Sequence, residues 1–443
     1  MKICFIPIDN RPVCYNLAKD IAEIDSSISL LIPPREFLGD LTKTANIPAL
    51  FEWLKDLPKC DCIILSLDTL AYGGLIPSRR SKDSVEDIEK RINTLKEILI
   101  TKDAKIHAFS SIMRISNNNV NEEEKEYWSD YGKKIFEYSY NSCKFGKHID
   151  TDIPKEILED YLNTRKRNFK INKIYLDWQK SGFFETLIFS KDDCAEYGLN
   201  VKEAQELEEL GGFTKTGADE IPLTLLARSI KKDIKVYVEF TEPDSKELIS
   251  NYEDVSIKNS VYGQLELGGF KRVEKETDAD LVLIVNNFEE KQGELVMGWE
   301  TKPYEKDFIV PQKPYAIADV RYANGGDNSF VNQVLKNMQL ENFYGYSGWN
   351  TSANSLGSLL AGIKIKFNAK FFNNTAFTKL QIIRFLDDWA YQANIRSKID
   401  KPCNINDKMK PFEHELEKIF NCKINVKEYK YPWNRKFEIE ICL

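Results

Sequence analysis

The chain has 443 residues, of which 42% are hydrophobic and 30% charged, a composition typical of a globular protein rather than a disordered or fibrous one. Its 62 basic and 69 acidic residues give a net charge of −7, which argues against a nucleic-acid partner because such proteins usually carry a basic excess. Nine cysteines in a chain of this length are too few for a disulfide scaffold. The length predicts two or three domains.

No segment of the sequence has the pattern of a membrane span or a signal peptide. The longest apolar runs, such as residues 62–67, are far shorter than the roughly 20 residues that a spanning helix needs. The apolar run of residues 3–8 is too short for a signal peptide, and Asp9 ends it. We therefore expect a cytoplasmic protein with reduced thiols and no membrane partner.

Short apolar runs alternate with amphipathic segments along the chain. Strands are predicted at residues 3–8, 29–32, 62–67, 105–110, 184–190, 234–240, 281–285, 315–319 and 343–346. Helices are predicted near residues 14–24, 84–99, 201–210, 329–338 and 378–398, and within the polar segment 117–181. This alternation indicates an α/β protein whose strands pair in parallel and are covered by helices on both faces.

The predicted elements group into two α/β lobes. We predict two doubly wound, Rossmann-like parallel-sheet lobes, residues 1–230 and 231–365, followed by a helical C-terminal piece with a small α/β appendix at 366–443. The polar helical insert 117–181 in the first lobe would serve as a lid or as a contact in a homo-oligomer. A single (β/α)8-like barrel is the alternative, because eight or nine strands can be counted.

The chain has only three histidines, which narrows its possible chemistry. His107 lies in a predicted strand, whereas His148 and His414 lie in polar segments. A catalytic triad or a histidine-rich metal site would need at least one of them. Chemistry here would instead depend on carboxylates, amides, arginines and tyrosines, or on a hard cation held by oxygen ligands.

Polar side chains follow several of the predicted strands, at the point where each strand ends. Ligands of open parallel sheets and of barrels bind outside the carboxyl ends of the strands, so we expect one shared polar site. For each residue taken alone, a turn or helix-capping role is the alternative. The candidate residues are Asp9, Arg11, Asp68, Tyr72, Arg79, Arg114, Asp192, Asp193, Asp219, Glu220, Asp319, Asn324, Asp327, Trp349, Asn350 and Asn354.

Three pairs of adjacent acidic residues have different interpretations. Asp192 and Asp193 follow a strand, where two close carboxyls raise each other's proton affinity and suit general acid and base catalysis. Asp219 and Glu220 open an apolar helix, so favourable interaction with the helix dipole is their alternative role. The pair at 387–388 lies within a predicted helix, four residues after Arg384, which predicts a solvated, salt-bridged helix face.

The arginines and aromatic residues near these acids each allow two interpretations. Arg11, Arg79 and Arg114 would clamp a carboxylate or phosphate of a ligand, or would neutralise the acids around them. Tyr72 and Trp349 would stack on the apolar face of a sugar, or would belong to the core.

The sequence motifs resemble those of DUF4127, a bacterial family of proteins of unknown function. The resemblance spans nearly the whole chain and implies no established activity, cofactor or catalytic residue. Its motifs coincide with the polar strand ends, which supports one shared site. They include Ile6-Pro7-Ile8-Asp9-Asn10-Arg11-Pro12, Leu67-Asp68-Thr69-Leu70-Ala71-Tyr72-Gly73-Gly74, Ser110-Ser111-Ile112-Met113-Arg114, Gly217-Ala218-Asp219-Glu220, Gly348-Trp349-Asn350-Thr351 and Pro432-Trp433-Asn434-Arg435.

The residues favour an enzyme, a hydrolase of a small polar substrate such as a glycoside or amino-sugar derivative. Asp193 or Asp192 would be the general acid and base, and Asp68 or Asp319 the second carboxylate. This mechanism requires no cofactor. A variant of the hypothesis places Mg²⁺ or Mn²⁺ among Asp9, Asp68 and Asp319. The alternative to an enzyme is a non-catalytic protein that binds a small ligand between two lobes.

Overall fold

A computed structural model describes residues 1–146 and 149–443, and its contacts divide the chain into two compact units. Unit 1 consists of Met1–Tyr15, Ser29–Pro222 and Tyr252–Asp254. Unit 2 consists of Asn16–Ile28, Leu223–Asn251 and Val255–Leu443. Each unit is therefore assembled from separate stretches of the sequence. The predicted lobe boundaries at 230 and 365 stay predictions.

Fifteen strands are found in the described part of the chain. They are β1 (Lys2–Ile6), β2 (Ser29–Leu31), β3 (Cys62–Ser66), β4 (Lys105–Ile112), β5 (Thr186–Lys191), β6 (Thr214–Thr216), β7 (Lys235–Phe240), β8 (Lys271–Arg272), β9 (Leu281–Asn286), β10 (Gly293–Glu294), β11 (Tyr315–Asp319), β12 (Tyr322–Ala323), β13 (Phe343–Ser347), β14 (Glu428–Lys430) and β15 (Glu440–Cys442).

The α-helices lie mainly between these strands. They are α1 (Asn16–Ala22), α2 (Ile47–Lys55), α3 (Leu67–Tyr72), α4 (Leu75–Arg80), α5 (Val85–Ile100), α6 (Trp128–Phe145), α7 (Lys155–Lys180), α8 (Leu199–Glu209), α9 (Ile221–Ser229), α10 (Ile257–Leu267), α11 (Asn328–Asn337), α12 (Ser352–Asn368), α13 (Asn374–Arg384), α14 (Gln392–Asn394) and α15 (Asn406–Phe420). A π-helix, Phe385–Tyr391, connects α13 to α14. Two of the helices, α6 and α7, lie within the predicted insert 117–181. His148, which was predicted in a polar segment, lies outside the described residues.

The sheet of unit 1 has six parallel strands in the order β2-β1-β3-β4-β5-β6. Every residue of β3 and β5 is buried, as expected for apolar strands that are covered on both faces. The N-terminus of α5 is stabilised by a capping box formed by Ser84 and Asp87.

The main sheet of unit 2 has five parallel strands in the order β13-β11-β9-β7-β8. Its central strands β9 and β11 are buried along their whole length. The short strands β10 and β12 pair in parallel, and β14 pairs antiparallel with β15 near the C-terminus.

Two parallel sheets flanked by helices confirm the predicted α/β fold with two Rossmann-like parts. Neither sheet closes on itself within residues 1–146 and 149–443, so the alternative of a single barrel is wrong. Across the same residues, every helix is too short or too polar to cross a bilayer.

Candidate functional site

The carboxyl edge of the unit 1 sheet brings together polar residues that are far apart in sequence. All six strands run in the same direction, so the loops after them meet along one edge. Eight of the predicted site residues of unit 1 lie in these loops or in the short helices that follow them. They are Asp9 and Arg11 after β1, Asp68, Tyr72 and Arg79 after β3, Arg114 after β4, and Asp192 and Asp193 after β5. Asp219 and Glu220 follow β6 and immediately precede α9.

Arg114 is surrounded by four carboxylates. Its Nε lies 2.9 Å from an oxygen of Glu124, and its Nη2 lies 2.9 Å from an oxygen of Glu123. The remaining nitrogen, Nη1, contacts Asp192 at 3.3 Å and Asp193 at 3.2 Å. All three guanidinium nitrogens are thus engaged by acids of the protein itself. The arrangement favours charge neutralisation over an anion clamp, the two roles that the sequence left open for this residue.

Asp193 is the most accessible carboxyl of this group. Its side chain is 32% exposed, against 16% for Asp192. Asp193 also has a φ of +35°, a backbone conformation that is uncommon for a residue other than glycine. Desolvation and the nearby charge of Asp192 raise the pKa of Asp193 to about 7, against the opposing effect of Arg114. This carboxyl is therefore suited to exchange protons near neutral pH.

Arg79 and Asp68 lie deeper at the same edge. Arg79 is almost completely buried, and its Nη1 donates to Glu124 at 2.9 Å. Its Nε and Nη2 have no hydrogen-bond partner within the described residues. Asp68 accepts a hydrogen bond of 2.8 Å from the backbone N–H of Ser111, and burial raises the pKa of its carboxyl to about 7. Both residues are shielded from solvent.

Arg11 links two carboxylates of different loops. Its Nε donates to Asp9 at 2.9 Å, and its Nη2 donates to Asp219 at 2.5 Å. Burial raises the pKa of Asp219 to about 6, although Arg11 opposes the shift. Asp9, Asp219 and Cys14 have potential ligand atoms within 4.8 Å of one another, the spacing of a small metal site.

The guanidinium of Arg11 already supplies a positive charge among these three ligands. It bonds both carboxylates, and its Nη2 lies 3.8 Å from the sulfur of Cys14. A divalent cation would have to displace Arg11 from two short ion pairs, so these residues fit a metal poorly. The predicted metal set combines Asp9 and Asp68 of unit 1 with Asp319 of unit 2 and stays a prediction.

Tyr72 and Glu220, two further predicted site residues of unit 1, are buried. The ring of Tyr72 lies 5.5 Å from the guanidinium carbon of Arg167, in cation–π geometry. Burial raises the pKa of the Tyr72 hydroxyl. Tyr72 therefore packs within the protein, which favours the core role over stacking on a sugar.

Asp319, in unit 2, is fully buried and is bonded by protein groups on both oxygens. One oxygen accepts from Asn286 at 2.8 Å, and the other accepts from the backbone N–H of Asp327 at 2.8 Å and from Tyr346 at 3.2 Å. Burial and the neighbouring Asp327 raise the pKa of Asp319 to about 8. Asp327 caps α11 through Ser329. This arrangement favours a structural role for both acids.

The other predicted site residues of unit 2 occupy loops and core positions. Asn324 and Asn350 both have a positive φ, and the backbone N–H of Asn324 donates to the carbonyl of Asn350 at 2.8 Å. Trp349 is buried and packs edge-on against Phe437. Asn354 is buried in the first turn of α12. These contacts favour roles in backbone turns and core packing over roles in binding a ligand.

The acidic pair at 387–388 differs from its prediction. Asp387 and Asp388 are buried within the π-helix, so the expectation of a solvated helix face is wrong. The predicted ion pair is present, with Arg384 2.7 Å from Asp388, which also accepts from the backbone N–H of Gly348 at 2.7 Å. The insertion of a π turn changes which residues face the core, and helical periodicity alone does not reveal it.

Glu123 and Glu124 belong to the group around Arg114 but were not among the predicted site residues. They lie in the polar segment between β4 and α6, nine and ten residues after Arg114. The acidic run at residues 122–124 is the signal that could have indicated them. Of the histidines, His107 lies inside β4 and His414 inside α15, so neither belongs to the loops that follow the strands of unit 1.

The chain is an α/β protein with two parallel sheets, and carboxylates cluster at the carboxyl edge of the unit 1 sheet. A family model described as protein of unknown function (DUF4127) matches residues 3–442, so the chain belongs to that family. A search of curated proteins found no match. Among solved structures, the chain is similar to a UGT transferase from Siraitia grosvenorii in complex with UDP, with 10% identity, a TM-score of 0.22, and coverage of 94% of this chain and 99% of that chain. A likeness at this level does not identify a fold or a function.

Proposed function

We propose that this protein is a hydrolase of a small polar substrate, a glycoside or amino-sugar derivative, with Asp193 as the general acid and base. The observation that carries the proposal is the partly exposed carboxyl of Asp193, which shares the Nη1 of Arg114 with Asp192. A carboxyl with a pKa of about 7 can donate a proton to a leaving group and take one from water at neutral pH.

Asp192 is better placed than Asp68 or Asp319 to be the second carboxylate. Glycoside hydrolysis commonly uses two carboxyls on either side of the scissile bond. Asp68 is only 2% exposed and Asp319 is fully buried, whereas the side chain of Asp192 is 16% exposed beside Asp193. In this assignment Asp68 supports the β4 end through its bond to Ser111.

The charges around Arg114 favour a substrate that donates hydrogen bonds. Four carboxylates face two guanidinium groups, those of Arg79 and Arg114. The accessible atoms are mainly acceptors, because Glu123 is 23% exposed while Arg79 is 1% exposed. Hydroxyl and ammonium groups would bind such acceptors, and a phosphate or carboxylate would be repelled. A neutral sugar or an amino sugar therefore fits better than an acidic one.

A turnover assay on 4-nitrophenyl glycosides, with neutral, amino and acidic sugars, tests this proposal. We expect hydrolysis of a neutral or amino glycoside, and an Asp193→Asn variant should lose about 10²- to 10⁴-fold in kcat. Asp103→Asn, at an exposed ion pair with Lys59, is the matched control and should retain full activity. Full turnover by Asp193→Asn would show that Asp193 is not the acid.

Two other outcomes would favour the alternative functions. Thermal stabilisation by a sugar without turnover would favour a ligand-binding protein. Loss of turnover on addition of a chelator, and its recovery with Mg²⁺ or Mn²⁺, would favour a metal-dependent hydrolase.

A further inference from the structure

The loop that carries Asp192 and Asp193 is held on both sides by the segment Tyr252–Asp254. Before the acidic pair, Nζ of Lys191 lies 2.6 Å from a carboxylate oxygen of Asp254, and both side chains are less than one-tenth exposed. After the pair, the backbone N–H of Cys194 donates to the carbonyl of Tyr252 at 2.9 Å. The two anchor points therefore flank the two carboxyls.

A third contact holds the backbone of Asp193 itself. The side-chain amide of Asn200, in the first turn of α8, donates to the carbonyl of Asp193 at 3.3 Å. Asp193 has a φ of +35°, and a non-glycine residue keeps such a conformation only when its surroundings fix it. Asn200 and the segment Tyr252–Asp254 supply that fixation.

The segment Tyr252–Asp254 is unusual in the course of the chain. Leu223–Asn251 and Val255–Leu443 belong to unit 2, whereas Tyr252–Asp254 belongs to unit 1. Their buried ion pair with Lys191 is weak evidence for a gain in stability, because removing two charges from water offsets most of their attraction. A buried pair in this place is better explained by the geometry that it fixes.

We propose that the segment Tyr252–Asp254 is a clamp for the catalytic loop, with Asp254 and Asn200 as positioning residues that orient the carboxyl of Asp193 toward Arg114. The clamp positions a loop of the proposed hydrolase, so its role in catalysis rests on the proposed function. Its physical effect on Asp193 does not, because the protonation of that carboxyl can be measured without a substrate.

Several charged groups face Asp193 and enter any pH measurement. Desolvation, Asp192 and Glu123 raise its pKa, whereas Arg114 and Arg79 lower it. Arg114 and Glu123 come from the segment between β4 and α6, Asp192 from the loop after β5, and Arg79 from α4. Lys191 and Asp254 are added at the base of the loop. A variant of Asp254 or Asn200 leaves Asp192, Glu123, Arg114 and Arg79 unchanged.

The experiment compares the melting temperature of the full chain with that of Asp193→Asn between pH 4 and pH 9. The difference between the two curves follows the titration of the carboxyl of residue 193. The comparison is repeated in three backgrounds: Asp254→Asn, Asn200→Ala and the control Asp103→Asn. The control removes a carboxylate from an ion pair whose side chains are 80% and 89% exposed.

We expect the midpoint to fall by about half a pH unit or more in Asp254→Asn and in Asn200→Ala, and to stay unchanged in Asp103→Asn. In Asp254→Asn the uncompensated charge of Lys191 favours the ionised acids beside it. In Asn200→Ala the released loop exposes Asp193 to water. If Asp254→Asn does not fold, Lys191→Met with Asp254→Met removes both charges and should lower the midpoint through loop release alone.

An unchanged midpoint in all backgrounds would overturn the clamp, whatever the effect of each variant on stability. The proposed function fails separately, if no glycoside is hydrolysed or if Asp193→Asn retains full turnover. A shifted midpoint without turnover would therefore support the clamp and reject the hydrolase. Turnover with an unchanged midpoint would support the hydrolase and reject the clamp.

Discussion

At the scale of single residues, Arg114 links the carboxylates of the candidate site. One guanidinium contacts two glutamates of the polar segment and two aspartates of the loop after β5. Because its planar fork directs donors along several fixed directions, it can bond four carboxylates at once. A lysine carries the same charge on a single nitrogen and cannot reproduce these contacts.

Arg114→Lys should therefore lower the free energy of unfolding by about 2–4 kcal/mol, since partly buried carboxylates would lose a partner. Urea denaturation at pH 7 measures the change. Arg272→Lys is the matched control, because Arg272 is exposed, pairs with the exposed Glu274 and lies over the ring of Tyr262, contacts that a lysine can also make. This variant should change stability by less than about 0.5 kcal/mol. Equal small effects of the two variants would contradict this role of Arg114.

At the scale of elements, two helical glycines differ in whether tertiary packing requires them. Gly132 lies in α6, where a Cβ atom would be 2.2 Å from the carbonyl oxygen of Asn118 and 2.5 Å from Nε1 of Trp128. Gly362 lies in α12, where a Cβ atom would be 3.9 Å from a methyl group of Leu380, an ordinary van der Waals contact. Close backbone approach explains the first glycine, and no steric reason requires the second.

Gly132→Ala should destabilise the protein by about 1–3 kcal/mol, because backbone atoms would have to move to accommodate the methyl group. Gly362→Ala should stabilise it by about 0.5–1 kcal/mol, because alanine reduces the conformational entropy of the unfolded chain and fits an ordinary contact. Chemical denaturation of the two variants and of the unchanged chain measures whether each substitution raises or lowers the free energy of unfolding. A gain in stability from Gly132→Ala would show that the α6 packing is not as tight as described.

At the scale of the whole molecule, buried carboxyls with raised pKa values occur in both units. The free energy of unfolding changes with pH wherever the folded and unfolded chains bind different numbers of protons. In the folded chain the carboxyl pKa values are about 7 for Asp68, Asp193 and Asp387, about 6 for Asp219 and Asp388, and about 8 for Asp319.

These values predict that stability falls as the pH rises from about 5 to about 8. In the unfolded chain these carboxyls titrate near pH 4, so between pH 4 and the raised pKa values the folded chain binds more protons than the unfolded chain. The free energy of unfolding therefore decreases as the pH rises through this range. Below about pH 4 the trend reverses, because groups with lowered pKa values such as Asp25 become protonated. Thermal unfolding at constant ionic strength should give a melting temperature several degrees higher at pH 5.5 than at pH 8. A rise over this range would contradict the prediction.

The sequence by itself determined the fold class and the positions of the polar strand ends. Apolar runs such as those of β9 and β11 and the helices between strands are local properties, and parallel pairing follows from their alternation. The placement of Asp9, Asp68 and Asp193 directly after strands likewise requires only the order of residues along the chain.

Only the tertiary structure decided what surrounds each of these acids. Asp193 comes shortly after β5 and Asp319 is the last residue of β11. One is partly exposed beside Arg114, yet the other is enclosed by Asn286 and Tyr346. Burial, charge partners and the resulting pKa depend on side chains that are distant in sequence, such as Glu123 for Arg114. Hydrophobic periodicity carries no information about those partners, so the chemistry of the site emerges only when the strands are placed side by side.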